Sequence, residues 1–112
     1  VANIDYAEQI AHLDTTLTSI EKVLDLDAMR TEIADLQQQV SAPDLWDDQD
    51  NAQRVTARLS ALQSELERAT ALRQRLDDVS VLIELGQEEG DTDSLTEADT
   101  EIANLGKAIE SM

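Results

Sequence analysis

From Asp50 to Leu85 the chain contains neither glycine nor proline, and its apolar residues fall at Val55, Leu59, Leu62, Leu66, Ala69, Leu72, Leu76, Val79 and Ile83. Steps of three and four put these side chains on one face of a helix and of no other regular structure. A single helix is therefore predicted, roughly 50 Å long at 1.5 Å per residue. Two consecutive steps of three, Leu66 to Ala69 to Leu72, interrupt its heptad pattern, which predicts that its packing partners change partway along.

The flanking segments carry stripes of the same period. Tyr6, Ile10, Leu13, Leu17, Ile20 and Leu24 form one, Leu26, Met29, Ile33, Leu36 and Val40 a second, and Leu95, Ala98, Ile102, Leu105, Ile109 and Met112 a last. Asp5 is placed to cap the first helix, with Glu8 in the reciprocal position, and either Asp25 or Asp27 to cap the next. A bend or a break between Leu24 and Asp27 fits the pattern equally well. Pro43, the only proline, lacks an amide proton and forces Ala42 away from helical angles, so residues Ser41 to Asp50 are predicted to be a loop. Within it Asp47, Asp48 and Asp50 suit the start of a helix, and Trp46 is expected to pack back against that helix's first turn. Gly86 and Gly90 are expected to break the long helix into a polar acidic turn, and Ser94 with Glu97 to form a capping box for the last helix.

The predicted fold is all-α: an antiparallel bundle of three to four helices around one long central helix, because no such stripe can be hidden by its own helix. With 112 residues there is room for one domain and one core, and with aromatics at 2% that core must be built from Leu, Ile, Val and Ala. The chain opens at Val1 and stops at Met112 within a helical pattern, so it is expected to be a piece of a longer protein.

Eight basic against 25 acidic residues give a net charge of −17, which excludes broad binding of a phosphate backbone by the whole surface. There is no cysteine, no apolar run of about 20 residues that would span a bilayer, and no opening stretch like a signal peptide. The expected location is the cytoplasm. His12, the only histidine, lies off the apolar stripe and has no second histidine for metal binding, so it is expected to be an ordinary surface residue. Neither Asp47, Asp48 and Asp50 nor Asp91, Asp93, Glu97 and Asp99 have the spacing of a calcium loop, and capping or a solvated turn explains both groups. No phosphate loop, nucleophile elbow or Cys/His cluster is present, so no catalytic residue, cofactor or metal is expected.

One charge asymmetry stands out. Residues 54–75 hold Arg54, Arg58, Arg68, Arg73 and Arg75 against Glu65 and Glu67, a net charge of +3, while the rest of the chain carries −20. At 100° per residue Arg54, Arg58, Arg68 and Arg75 occupy about one third of the helix circumference. Such a strip suits RNA or an acidic protein; pairing within or between helices, as in Asp50 with Arg54 or Arg73 with Asp77, is the alternative.

The stretch from Val23 to Ile33, then Ser41-Ala42-Pro43-Asp44-Leu45-Trp46-Asp47-Asp48, then Ala52-Gln53-Arg54-Val55, resembles the N-terminal domain of the bacterial peptide chain release factor 2 family. The later run Leu76 to Leu85, the acidic turn and the closing helix continue the likeness in order, whereas the first helix matches only in pattern. Leucine and glutamate positions would match many coiled coils; Pro43, Asp44, Trp46 and Asp47, at their distance from Leu24-Asp25 and Ala52-Gln53, are the specific group. The chain itself is expected to be monomeric, and the resemblance implies a helical domain of a factor that enters the ribosomal A site, reads UGA or UAA and triggers hydrolysis of peptidyl-tRNA. It further implies a position near the stalk base of the large subunit and a part in recycling by the GTPase release factor. The family's Ser-Pro-Phe codon-reading and Gly-Gly-Gln hydrolysis motifs, through which it meets mRNA and tRNA, do not occur in this sequence. Arg54, Arg58, Arg68 and Arg75 are the candidate ribosome or partner contacts. A free-standing acidic coiled-coil adaptor is the competing reading, and a nucleic-acid mimic a third. The adaptor leaves the group at Pro43 to Trp46 without a purpose, and the arginine strip opposes the mimic.

Overall fold

The computed structural model describes residues 5–112; Val1 lies outside the described residues. Four α-helices follow one another: α1 (Tyr6–Leu24), α2 (Leu26–Ser41), α3 (Gln49–Glu89) and α4 (Thr92–Glu110), with a single 3₁₀ turn at Leu45–Asp47 between α2 and α3. There is no strand among the described residues. The helical bundle with one long central helix is the architecture the apolar spacing predicts, and α3, at 41 residues, extends beyond the predicted end.

The apolar side chains do not gather into the single core expected from length. They form two clusters, in two compact units: the described residues through Ile20 with Thr70–Met112, and Glu21–Ala69. The cause lies in α3, whose partners change where the heptad is interrupted. Val55 and Leu62, with Leu59 and Leu66 beside them, belong to one cluster, and Leu72, Leu76, Val79 and Ile83 to the other.

In the first unit α1, the later part of α3 and α4 bury Leu13, Leu17, Ala98, Leu105 and Ile109 against the α3 stripe. Leu17 and Leu105 are fully buried, each worth about 1.5–3 kcal/mol in apolar transfer. Antiparallel packing is visible between α3 and α4, where Arg75 meets Glu101 while Gly86, later in α3, lies against Leu95, earlier in α4; Arg73 of α3 reaches Asp14 and Thr18 of α1. In the second unit α2 packs Met29, Ile33 and Leu36 against Ala52, Val55 and Leu62 of α3.

The helix boundaries follow from a few residues. Asp5 accepts the Glu8 amide at 3.1 Å and caps α1 as expected. The chain breaks, rather than bends, at Asp25, which adopts φ 56° and accepts the Ala28 amide at 3.2 Å. A short polar side chain that bonds locally is one of the few, besides glycine, that tolerate this left-handed conformation. Two expectations for the acidic turn are corrected. Gly86 does not end α3; it is buried within the helix, and the chain reverses at Gly90, where φ is +64°. Ser94 and Glu97 do not cap α4, because the helix starts a turn earlier. Asp91 is the cap, accepting the amides of Asp93 and Ser94 at 3.1 and 3.3 Å and the Ser94 hydroxyl at 2.8 Å.

Candidate functional site

The loop between α2 and α3 is held by its own backbone. The Leu45 amide donates to the Ala42 carbonyl at 3.2 Å and the Asp47 amide to that of Asp44 at 3.1 Å, while the Asp48 side chain accepts the Asn51 amide at 3.1 Å and starts α3. Ala42 is extended, with ψ 130°, as Pro43 demands of the residue before it. In a 3₁₀ turn successive side chains point about 120° apart, so two neighbours cannot both face the core. Leu45 takes the inward place and is 7% exposed; Trp46 is 59% exposed. The expectation that Trp46 packs against the first turn of the following helix is thereby overturned, and Leu45 does that work within the second unit. Pro43, Asp44 and Asp47 are exposed as well.

The arginines of α3 divide by partner. Arg58 grips Glu32 of α2 with Nε and one terminal nitrogen, at 2.7 and 3.2 Å. This pairing holds the Glu32 carboxyl below the usual carboxylate range and raises the guanidinium, in both cases chiefly through the hydrogen bond between the two groups. Arg75 is bonded to Glu101 at 2.8 Å, and Arg73 to Asp14 and Thr18 rather than to Asp77. Arg54 contacts the neutral Asn51 side chain at 3.2 Å rather than Asp50, and Arg68 is exposed. Among the described residues neither Arg54 nor Arg68 meets a carboxylate. The strip counted on the sequence therefore resolves into Arg58, Arg73 and Arg75, which tie helices together, and Arg54 and Arg68, whose charge faces water. Arg54, Arg58 and Arg68 lie in the second unit with the Trp46 loop, and Arg75 in the first.

No group of three or more His, Cys, Asp or Glu among the described residues is arranged to hold a metal ion. His12 is exposed on α1. None of the described helices is long and apolar enough to cross a membrane. An exposed tryptophan on a backbone-locked turn, with two water-facing guanidinium groups on the same unit, is equipped for surface recognition. Its indole offers an apolar face and the arginines offer planar donors.

Comparison with known proteins adds the relationship that geometry alone leaves open. The profile of the PCRF domain matches residues 29–112. Over all 112 residues the chain is 50% identical to peptide chain release factor 2 of Pseudarthrobacter chlorophenolicus, and equally to that of Salinispora tropica, in each case covering 30% of the relative. It is 55% identical over 108 residues, 96% of this chain and 29% of the relative, to peptide chain release factor 2 of Acidothermus cellulolyticus. The chain thus spans under a third of the length of the curated relatives it matches.

Proposed function

The chain belongs to the PCRF domain family of peptide chain release factors, and from that membership we propose that it serves as the non-catalytic N-terminal helical domain of a bacterial release factor acting in translation termination. On this reading residues 1–112 are one functional domain of a longer cytoplasmic protein, with codon reading and ester hydrolysis performed by segments beyond it. The full factor would act at UGA and UAA codons in the ribosomal A site. The observation that supports the reading is the profile match over residues 29–112 together with half identity along the whole chain.

This domain's contribution is contact. It would meet the stalk-base region of the large subunit and take part in recycling by the GTPase release factor. Arg54 and Arg68 are the arginines best placed for this among the four candidates, since Arg58 and Arg75 are already paired with Glu32 and Glu101. Trp46, exposed on the loop before α3 in the same unit, would add an apolar anchor, since a few Trp and Arg residues commonly carry most of an interface's energy.

The test is made in the full-length factor. Arg54→Glu with Arg68→Glu is expected to weaken ribosome binding and slow recycling, while peptide release at saturating factor is unchanged. Unaltered affinity and recycling in a variant that retains its circular dichroism would overturn the assignment of contact to these arginines.

A further inference from the structure

Trp46 is 59% exposed, while the only other aromatic residue, Tyr6, is half-buried against the first core. The turn that presents the indole is fixed from two sides. The amides of Leu45, Asp47 and Asp48 donate to the carbonyls of Ala42, Asp44 and Leu45 at 3.2, 3.1 and 3.4 Å, and the Leu45 side chain anchors the turn in the core of the second unit. A ring whose backbone is held in this way gives up little conformational entropy on binding, which is what a recognition anchor requires.

The ring and the charge next to it select the same kind of partner. Residues 44–50 carry Asp44, Asp47, Asp48 and Asp50, all exposed, and no lysine or arginine. Asp48 starts α3, whereas the carboxylates of Asp44, Asp47 and Asp50 make no hydrogen bond or ion pair among the described residues. Asp47 follows Trp46 directly and Asp44 precedes it by two, so their Cα atoms lie within about 8 Å of its own, roughly one Debye length at physiological salt. A nucleic-acid base stacked on the indole would carry its phosphates into that field, where they are repelled. A lysine or arginine side chain is favoured there twice, by the negative face of the ring and by the carboxylates. Acidity alone selects nothing on this chain: the turn from Glu88 to Asp93 is as acidic and has no aromatic residue to seat a cation.

We propose that the Trp46 loop receives a lysine or arginine side chain of a protein partner, its cation held on the indole face and its charge balanced by Asp44 and Asp47. The inference rests on the release-factor reading for the place of the contact, the ribosome, and adds the chemistry met there: a basic protein surface rather than RNA.

The test is made with the full-length factor on ribosomes, where the two classes of partner give effects of opposite sign. Against a basic protein surface, Asp44→Asn with Asp47→Asn is expected to weaken ribosome binding about three- to tenfold, and the loss to shrink as salt rises. Against RNA the same variant would bind more tightly. A gain in affinity, or no change, overturns the proposal. Neither carboxylate holds the turn together, so the double variant keeps the loop. Trp46→Phe is expected to lose less affinity than Trp46→Leu, because phenylalanine keeps a ring face and leucine only apolar bulk. Equal losses would make Trp46 an apolar plug and overturn the seating of a cation. With the photoreactive p-benzoylphenylalanine in place of Trp46, the bound factor is expected to crosslink to a ribosomal protein. An adduct with ribosomal RNA, or none from factor that is bound, overturns the proposal while leaving the release-factor reading intact. A factor that does not bind ribosomes at all would overturn that reading, and the proposal with it.

Discussion

A methyl group on Gly86 would stand 3.0 Å from the Leu95 Cδ2 and 3.1 Å from its Cγ, so these two residues set how closely the end of α3 approaches the start of α4. Two effects oppose each other at this position. Alanine is favoured over glycine inside a helix by about 1 kcal/mol, whereas the added carbon must displace a half-buried leucine. Gly86→Ala is therefore expected to leave stability within about 1 kcal/mol of the parent in urea unfolding, and Gly86→Leu to lose about 1–3 kcal/mol. Gly90 behaves differently. Nothing lies near a Cβ there, but its φ of +64° is left-handed, so Gly90→Ala should cost about 1–2 kcal/mol on backbone grounds alone. A Gly86→Leu variant as stable as the parent would show that the helices part without penalty.

The loop before α3 makes a second prediction, because Leu45 rather than the expected Trp46 is its buried residue. Trp46 is the only tryptophan, so its emission reports one site. At 59% exposure that emission should be red-shifted and open to iodide or acrylamide quenching, and Trp46→Ala should cost under about 1 kcal/mol. Leu45→Ala should cost about 2–5 kcal/mol, the usual range for a buried leucine. A blue-shifted, protected spectrum would reverse the assignment.

What the sequence shows about this fold is periodic, and what it hides is rotational or local. The four stripes were legible because each repeats over at least four turns or so, and the partner change along α3 was legible as the two short steps around Ala69. Which of Leu45 and Trp46 faces inward was not, since a three-residue turn has no period to count and the larger aromatic looked the better anchor. Ser94 with Glu97 matched a capping box, yet Asp91, three residues earlier, caps the helix instead, because its side chain accepts the two amides that follow it and a hydroxyl together. Arg58 and Arg75 read as a strip on a helical wheel; only the positions of Glu32 on α2 and Glu101 on α4 turn them into links between helices.

The cap of α4 supplies a third prediction. Asp91 is held below the ordinary carboxylate range, first by the Ser94 hydroxyl, then by the Ser94 amide and, more weakly, that of Asp93. Removing the hydroxyl with Ser94→Ala should move the Asp91 titration upward in a carboxyl-detected NMR series. Asp91→Asn should keep most of the cap and Asp91→Ala lose it, read as a fall in melting temperature between the two. Glu97→Gln, which removes the partner that a Ser94 cap would need, should change stability by less than about 0.5 kcal/mol. If Glu97→Gln matched Asp91→Ala in effect, the helix would begin at Ser94 after all.

The forked pair of Arg58 and Glu32 ties α2 to α3 and makes the second unit sensitive to acid. The Glu32 pKa lies below its ordinary 4.5 in the folded chain, so its contribution to stability is present above the unfolded value and is lost as the pH falls through the folded one. Between neutral pH and pH 5 the pair should therefore contribute steadily, and below about pH 4.5 its contribution should decline. Both side chains are about half exposed, at 56% and 43%, so salt should screen the interaction and 1 M NaCl should shrink it. Glu32→Gln is expected to flatten the stability profile in the acid limb. In Arg58→Gln the Glu32 carboxyl should titrate nearer its ordinary value. Chemical shifts of Ile33 and Val55, which flank the pair in the second core, provide the local readout. A Glu32 titration unmoved by Arg58→Gln would mean that the two groups meet without holding each other.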